Sequence, residues 1–320
     1  MKIGVLLNNF GGFPETGRGA RACLDLAQRA EALGFDSVWV TDHIVLPVER
    51  ETPYPHNDSG VFPYTWDQEI YEPLALMAAL ATATQRVEIG VSVLVIPYRH
   101  PLLTAKMLAT ADQLSGGRII LGAGVGWLRD EFEALGLPSE TFDRRGAVTM
   151  DALRAMQAAW TAEEGVSHAG EFVRFDAIGT RPLPTRKPHP PIWIGGQGDR
   201  ALRRTVEIGQ GYLAISSDPE ALSRDTSRLR ALCRDADRDP EDLDVGHIDG
   251  MILADEDFDS EQATLTGTPQ RILGELERYA NAGLTHLVAG ISHSAGADYE
   301  AVCDTLERVA SEILPTARTL

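Results

Sequence analysis

The sequence contains few cysteines, and they show no paired spacing. Its 320 residues include three cysteines, Cys23, Cys233 and Cys303, and none belongs to a C-x-x-C or zinc-binding pattern. A disulfide framework is therefore not expected, and each cysteine is interpreted as a small apolar side chain in a helix-like segment. This cysteine usage indicates a reducing compartment, which we expect to be the cytoplasm.

Long hydrophobic runs are also missing. The apolar run of residues 3–7 is interrupted by Gly4 and followed by Asn8 and Asn9, so it is too short for a signal peptide. No run approaches the roughly 18 apolar residues that a membrane span requires. We therefore expect a soluble protein without membrane partners.

Positive charge is scarce. The chain has 29 lysines and arginines against 47 aspartates and glutamates, which gives a formal net charge of −18 at pH 7. Such a chain repels nucleic acid and acidic membrane surfaces. The histidines show no H-x-H or H-E-x-x-H spacing, so no metal site is expected. Nucleic acid and metal ions are therefore not expected as partners.

What the chain does contain is a regular alternation of two apolar patterns. Short strand-like runs are each followed by a segment with apolar residues at helical spacing. The predicted strands lie at 2–7, 37–41, 87–96, 118–121, 192–194, 211–215, 245–253 and 285–291. The predicted helices cover 20–33, 73–84, 101–114, 144–160, 199–208, 219–236, 269–282 and 298–313.

Eight strand–helix units predict an α/β fold with parallel strands and helical crossovers. At this chain length they favour a closed (β/α)8 TIM barrel, built as one domain over residues 1–320. A doubly wound sheet of two halves is the alternative.

Three segments depart from the alternation. The insertion loop after strand 2, residues 44–72, has four prolines and five aromatic residues, and its length is typical of a functional loop. The segment before strand 5, residues 163–191, is irregular, and 171–175 could be one arm of a hairpin. Residues 255–266 are interpreted as an acidic linker.

Unusual residues stand where the predicted strands end. Asp42 and His43 end strand 2, residues 92–97 end strand 3, and glycine-rich turns at 122–127 and 195–198 end strands 4 and 5. The carboxyl ends of barrel strands carry the active site, so we expect these residues to meet. The first turn is not a dinucleotide fingerprint, because Trp127 stands where the last glycine would be needed.

Two residue types in these turns suggest chemistry. Glycine lets the backbone approach a planar or anionic ligand closely. Histidine titrates at about pH 6.5, so His43 is a candidate acid or base, and Asp42 could orient it or favour its charged form.

On these residues the sequence resembles the luciferase-like monooxygenase superfamily of flavin- and deazaflavin-dependent oxidoreductases, over nearly its whole length. It is most similar to the coenzyme F420-dependent branch. The matching segments are Ser37-Val38-Trp39-Val40-Thr41-Asp42-His43, Ile89-Gly90-Val91-Ser92-Val93-Leu94, Leu114-Ser115-Gly116-Gly117-Arg118, Leu121-Gly122-Ala123-Gly124-Val125-Gly126-Trp127 with Glu131-Phe132, Pro191-Ile192-Trp193-Ile194-Gly195-Gly196, and Pro97-Tyr98-Arg99.

The resemblance implies a homodimeric barrel that holds the ring of F420, or alternatively of FMN, at the strand ends. In the F420 enzymes a hydride is transferred at the ring's C5. By this resemblance Asp42 and His43 contact the deazaflavin and the reacting centre, and a non-proline cis peptide bond joins Ser92 and Val93 against the ring. The further cofactor contacts that it implies are Val95, Val125, Gly126, Asp130, Gly195, Gly196 and Gly198.

The sequence departs from the related sugar-phosphate dehydrogenases at two places. They carry a glutamate where Trp127 stands, and their phosphate contacts after strand 6 are not matched by Ile215 and Asp218. We therefore expect an uncharged, mostly apolar substrate rather than a sugar phosphate. Trp127, Tyr64 and Trp66 are the expected substrate contacts, although the loop aromatics could instead pack beneath the loop or at a subunit contact.

Three functions are compatible with these features. An F420-dependent oxidoreductase is the leading interpretation. An FMN-dependent monooxygenase on the same barrel and a non-catalytic flavin-binding protein are the alternatives. An acid or base at His43 argues against a carrier, which has no proton to move.

Overall fold

The computed structural model describes residues 1–55, 59–215, 218–260, 263–291 and 298–320. No helix within these ranges combines the length and the apolar character needed to cross a membrane.

The strands and helices alternate along most of the chain. The strands are β1 Lys2–Leu6, β2 Ser37–Val40, β3 Glu88–Val95, β4 Ile119–Gly124, β5 Val166–Ala169, β6 Arg174–Ile178, β7 Ile192–Gly196, β8 Gly211–Ala214, β9 Asp244–Leu253, β10 Leu265–Gly267 and β11 His286–Ile291. The α-helices are α1 Arg21–Leu33, α2 Pro73–Ala83, α3 Pro101–Ser115, α4 Arg129–Ala134, α5 Ser139–Asp143, α6 Arg145–Thr161, α7 Gly198–Ile208, α8 Pro219–Asp235, α9 Pro269–Asn281, α10 Tyr299–Glu312 and α11 Leu314–Ala317. Short 3-10 turns lie at Pro14–Thr16, Ile96–Tyr98 and Pro240–Asp242.

Eight of these strands close into a parallel barrel. Its order is β1, β2, β3, β4, β7, β8, β9 and β11, and β11 pairs with β1 to complete the ring. All of these pairs are parallel, as helical crossovers require. The predicted (β/α)8 barrel is confirmed, and the alternative of an open doubly wound sheet is wrong.

Secondary structure inside the irregular segments differs from the prediction. The segment before β7 holds a complete antiparallel hairpin, β5 and β6, where only one arm was expected. The presumed acidic linker ends in β10, which adds to β9 in parallel. Two short helices, α4 and α5, fill the connection after β4. These elements are short, so their sequence periodicity is too brief to detect.

The helix boundaries follow from local chemistry. Proline occupies the first turn of α2, where its missing N–H costs nothing, and the Glu72 carboxylate accepts a hydrogen bond from the Ala75 amide at 2.7 Å. At the other end of α2 the Arg118 guanidinium donates to the carbonyl oxygens of Ala81 and Thr84. Arg118, part of the family-like segment 114–118, therefore has a structural role.

Two tryptophans fill the barrel interior. Trp39 of β2 and Trp193 of β7 are fully buried, with ring centroids 5.4 Å apart. Glycines on neighbouring strands make room for them. A Cβ atom added to Gly90 would lie 2.2 Å from the Trp39 ring, and one added to Gly211 would lie 2.5 Å from the Trp193 ring. Gly4 and Gly246 meet the same two rings in the same way. The barrel is therefore a packed core, and ligands are confined to its ends.

Candidate active site

His43 lies directly after β2, at the mouth formed by the carboxyl ends of the strands. Its side chain is buried, with 8% of the residue exposed. The imidazole Nδ1 lies 2.5 Å from Oε2 of Glu131, in α4. A carboxylate oxygen accepts, so the imidazole carries its hydrogen on Nδ1 and leaves Nε2 to exchange a proton.

Glu131 is the buried centre of this arrangement, with no exposed surface. Besides His43, its carboxylate accepts hydrogen bonds from the backbone N–H of Ile44 at 2.7 Å and of Val45 at 3.2 Å. The Tyr98 hydroxyl donates to the same carboxylate at 2.9 Å. Both oxygens are thereby fixed in position, and so is the ring of His43.

The Tyr98 hydroxyl acts as a hydrogen-bond donor to Glu131. Burial raises the pKa of its hydroxyl, and the neighbouring charge of Glu131 raises that pKa further. The phenol therefore keeps its proton at any working pH and cannot compete with His43 as a base.

Asp42 is buried and forms an ion pair with Arg99. Its two carboxylate oxygens accept hydrogen bonds from Nη1 and Nη2 of Arg99, both at 2.8 Å, and one of them also accepts from the Val95 amide at 2.8 Å. Burial alone would lower the pKa of Arg99, but the hydrogen bonds and charge of Asp42 raise it above its ordinary value. The expectation that Asp42 orients His43 is wrong, because Glu131 does so.

The end of β3 forms the floor of the mouth. The peptide bond between Ser92 and Val93 is cis, as predicted. The Ser92 hydroxyl is buried and has no hydrogen-bond partner among the residues that the structure describes. The Val93 side chain lies against Gly124 and Gly195, where added Cβ atoms would come within 2.3 Å and 2.5 Å of its methyl groups. An unpaired donor and a smooth apolar surface suit a flat aromatic ligand.

The glycine turns after β4 and β7 line the rim. Gly126 has φ of +81°, and a Cβ there would lie 2.8 Å from both Val95 and Phe132. Gly196 and Gly198 also have positive φ, and open space adjoins Gly198. Val125, before Gly126, is half-buried in the same turn. At these turns the backbone itself therefore faces the rim, because glycine has no side chain to occupy that space.

An aromatic cluster covers His43. Its rings are those of Phe10, Tyr54, Phe62, Tyr64 and Trp127. Phe62 lies at its centre, with its centroid 5.3 Å from both the His43 and the Trp127 rings. Tyr64 contacts the cluster through Phe10 and Phe62. Trp66 is 56% exposed, and no described residue makes a ring contact with it. The structure thus brings Trp127 and Tyr64 to the site but not Trp66.

Asp130, for which the cofactor contact stays a prediction, holds the insertion loop. Its carboxylate accepts hydrogen bonds from the backbone N–H of Glu51 at 3.0 Å and of Thr52 at 3.3 Å. Burial alone would raise the pKa of Asp130, but these hydrogen bonds keep it below its ordinary value. The ionised side chain therefore fastens the loop to α4.

Sequence reasoning missed Glu131, Tyr98, Arg99, Phe10 and the central position of Phe62. The first three belong to family-like segments, Glu131-Phe132 and Pro97-Tyr98-Arg99, so their presence was noted without a role. The signal for Glu131 was a carboxylate beside an aromatic residue in the helix after a glycine turn. Its pairing with His43 spans 88 positions, and no local pattern encodes such a contact.

Comparison with known proteins identifies the family of this chain. A family model described as luciferase-like monooxygenase matches residues 1–248. An uncharacterised protein of Mycobacterium tuberculosis is 31% identical over 231 residues, which are 72% of this chain and 78% of the relative.

Two relatives with described activities name different cofactors. An F420-dependent glucose-6-phosphate dehydrogenase of Amycolatopsis mediterranei is 27% identical over 94% of this chain and 96% of its own. An FMNH2-dependent dimethylsulfone monooxygenase of Pseudomonas putida is 32% identical over 50% of this chain and 44% of its own.

A solved structure supports the fold. The monooxygenase RslO1 of Streptomyces bottropensis superimposes with a TM-score of 0.80 over 98% of this chain and 99% of that one, at 23% identity. The chain therefore belongs to the luciferase-like monooxygenase family of oxidoreductases, whose members use either F420 or FMN.

Proposed function

We propose that this protein is an F420-dependent oxidoreductase that transfers a hydride between the deazaflavin C5 and a small, mostly apolar organic substrate. The observation that carries the proposal is the buried pair of His43 and Glu131 at the barrel mouth. Hydride transfer to or from a carbon that bears oxygen leaves a proton to be moved. The Nε2 atom of His43 is available to take or give that proton.

The mouth fits a flat ring with an anionic chain. Val93 and Gly195 would lie against the ring, and the unpaired Ser92 hydroxyl would hydrogen-bond to its edge. The turn that contains Gly196 and Gly198 precedes α7, so its backbone N–H groups would face a phosphate. When bound, F420 would supply a hydride donor or acceptor at C5.

The choice of F420 over FMN rests on the extent of the similarities. The F420-dependent relative matches 94% of this chain. The FMNH2-dependent relative matches half of it. An FMN-dependent monooxygenase is the second candidate, and a non-catalytic flavin-binding protein is the third.

The substrate class follows from the rings around His43. Trp127, Phe62 and Tyr64 supply apolar surface close to the reacting position. The Asp218 carboxylate caps α8 by accepting from the Ala221 amide, and its charge would repel a phosphate after β8. We therefore propose planar enones, ketones or alcohols as substrates in preference to a sugar phosphate.

Cofactor binding tests the proposal. Intrinsic tryptophan fluorescence is followed while oxidised and reduced F420, and separately FMN, are titrated into the protein. We expect tighter binding of F420. Equal or tighter binding of FMN would favour the monooxygenase alternative, and binding without turnover of any substrate would favour the carrier.

A substrate panel tests the proposed substrate class. F420-linked turnover is measured with glucose 6-phosphate and with enones, ketones and alcohols of similar size. We expect turnover within the apolar set. Efficient turnover of the sugar phosphate would contradict the substrate class while leaving the cofactor assignment intact.

We also propose a homodimer. Leu103 and Leu114 on α3 are 55% and 50% exposed, and α3 packs beside the apolar helix α2. These two leucines supply apolar surface that a second copy of the chain would bury. Light scattering after gel filtration gives the mass directly, and Leu103→Glu is expected to produce the monomer.

A further inference from the structure

Arg50, in the insertion loop, carries a positive charge without an acidic partner. Within the described ranges its guanidinium makes one hydrogen bond, from Nη2 to the Tyr64 carbonyl oxygen at 2.9 Å. Its Nη1 is buried and has no acceptor there. We propose that the Arg50 guanidinium binds a carboxylate at the end of the substrate remote from the reacting carbon. The inference rests on the proposed function, because it narrows the substrate to a planar ketone, alcohol or enone that carries a carboxylate.

The acidic residues around Arg50 do not neutralise it. Glu49 and Glu51 flank it in the chain and are exposed, but in the part of the chain that the structure describes neither forms an ion pair with it. The Asp130 carboxylate fastens the residues that follow Arg50, and its two oxygens accept from the amides of Glu51 and Thr52. The Arg50 guanidinium therefore remains available to an anion that comes from outside the chain.

Arg50 and His43 contact the same aromatic ring. The Cζ atom of Arg50 lies 5.4 Å from the centroid of Phe62, and the His43 ring lies 5.3 Å from that centroid. Phe62 is the central ring of the cluster that covers His43. A flat substrate that packs against Phe62 would place its reacting carbon near His43 and its other end near Arg50.

The aromatic cluster itself supplies no negative charge to Arg50. Burial raises the pKa of Tyr54 to about 12 and also raises the pKa of Tyr64. Both phenols therefore keep their protons near pH 7. In apolar surroundings a hydrogen bond between a guanidinium and a carboxylate is stronger than in water. A carboxylate oxygen at Nη1 would also remove the free-energy cost of a buried donor without an acceptor.

A single guanidinium suits a carboxylate better than a phosphate. A carboxylate is planar and carries one negative charge, which the planar guanidinium fork of Arg50 matches. A phosphate monoester carries about −1.5 to −2 charges at pH 7, more than one arginine neutralises. The inferred substrate keeps the apolar body expected from the sequence, but one of its ends is charged where an uncharged molecule was expected.

A matched pair of ligands tests the site. The probes are para-acetylbenzoate and para-acetylbenzamide, which share a flat aryl ketone and differ in the charge at the far end. Calorimetry gives their dissociation constants for the F420-saturated protein and for the protein alone, in the wild type, Arg50→Gln and Arg18→Gln. Arg18 is the matched control, because its guanidinium lies 5.2 Å from the Tyr299 ring but forms an ion pair with Asp25 at 3.3 Å.

We expect the wild type to bind the carboxylate at least about tenfold more tightly than the amide, as for a charge-assisted hydrogen bond. Arg50→Gln should lose this preference and bind the amide within about twofold of the wild type. Arg18→Gln should keep the preference. The comparison of the two probes in the wild type is informative even if Arg50→Gln fails to fold.

Three results would overturn the inference. They are a wild type that binds the carboxylate no better than the amide, a preference that survives in Arg50→Gln, and a wild type that binds neither probe. Failure of the proposed function would look different, because it appears in the cofactor titration. If FMN binds and F420 does not, the same two probes are compared in the FMN-saturated protein, and the preference for the carboxylate is still expected to depend on Arg50.

Discussion

Two buried histidines stand at opposite ends of the same barrel, and their partners differ. His43 lies at the carboxyl ends of the strands, with its Nδ1 against the Glu131 carboxylate. His286 begins β11 at the amino ends, with its Nε2 2.7 Å from the Ser37 hydroxyl. His43 therefore pairs with a carboxylate, whereas His286 pairs with a neutral hydroxyl.

The neutral partner makes His286 a structural residue. Burial lowers the pKa of His286 to about 4, so its ring is uncharged near pH 7. The Trp39 indole donates to the Ser37 oxygen at 2.7 Å, which leaves the serine hydrogen free to donate to His286. The comparison teaches that burial alone does not make a histidine catalytic. A carboxylate that orients the ring and a position at the carboxyl ends of the strands distinguish His43.

The largest expected effect comes from removing the histidine at the mouth. His43→Ala should lower turnover by about 10²-fold or more, the usual scale for a lost general acid or base, with little change in cofactor affinity. His286→Ala is the control and should keep its turnover per folded molecule. Steady-state kinetics with a good substrate measures both. Equal losses of turnover in the two variants would contradict the distinction between His43 and His286.

The second prediction concerns stability at acidic pH. The folded pKa of His286, about 4, lies below its ordinary value of 6.5, so the unfolded chain binds this proton first. The contribution of neutral His286 to the free energy of unfolding is fully present above pH 6.5 and is lost as the pH falls towards 4. Between pH 7 and 4.5 the loss is about 2 kcal/mol for this one group. The free energy of unfolding is measured by urea denaturation at several pH values for the wild type and for His286→Asn. We expect the variant to lack this part of the pH dependence. Parallel plots of the free energy of unfolding against pH would refute the prediction.

The third prediction separates orientation from chemistry at the mouth. Glu131→Gln keeps the shape but places an amide against His43, so we expect turnover to fall about tenfold, less than in His43→Ala. Tyr98→Phe removes one donor to the same carboxylate and should cost less still. Cofactor affinity serves as the control readout, because Glu131 contacts His43 rather than the floor at Val93. A loss of affinity matching the loss of turnover would indicate disruption of the whole mouth.

The smallest expected effects distinguish the loop aromatics. Phe62→Ala opens the space above His43 and should raise KM several-fold, whereas Trp66→Ala should change KM by less than about twofold. Trp66 is the matched control, since it belongs to the same loop but is 56% exposed. Equal changes in KM would mean that the loop acts as a unit.

Sequence reasoning was most successful where periodicity or glycine carried the signal. The eight barrel strands, the large helices between them and the cis bond at Ser92 agree with the structure. Backbone placement is local, and each strand–helix unit repeats the same pattern.

Sequence reasoning was least successful for side chains that could pair with more than one residue. Asp42 stands next to His43 in the chain, yet it pairs with Arg99, 57 positions away. The Asp130 carboxylate likewise accepts from the Glu51 amide, a contact that the sequence analysis did not predict. Such choices depend on distances across the barrel mouth, which no periodicity encodes.

The tryptophans inside the barrel have a consequence for how this chain can change over generations. Each indole ring occupies space that a glycine on the next strand leaves open, so a methyl group at Gly90 or Gly211 has no room unless Trp39 or Trp193 shrinks at the same step. These positions can therefore diverge only in compensated pairs. Among descendants they would look as invariant as a catalytic residue, although they perform no chemistry. A search for functional residues by invariance alone would not separate Gly90 from a residue that performs chemistry.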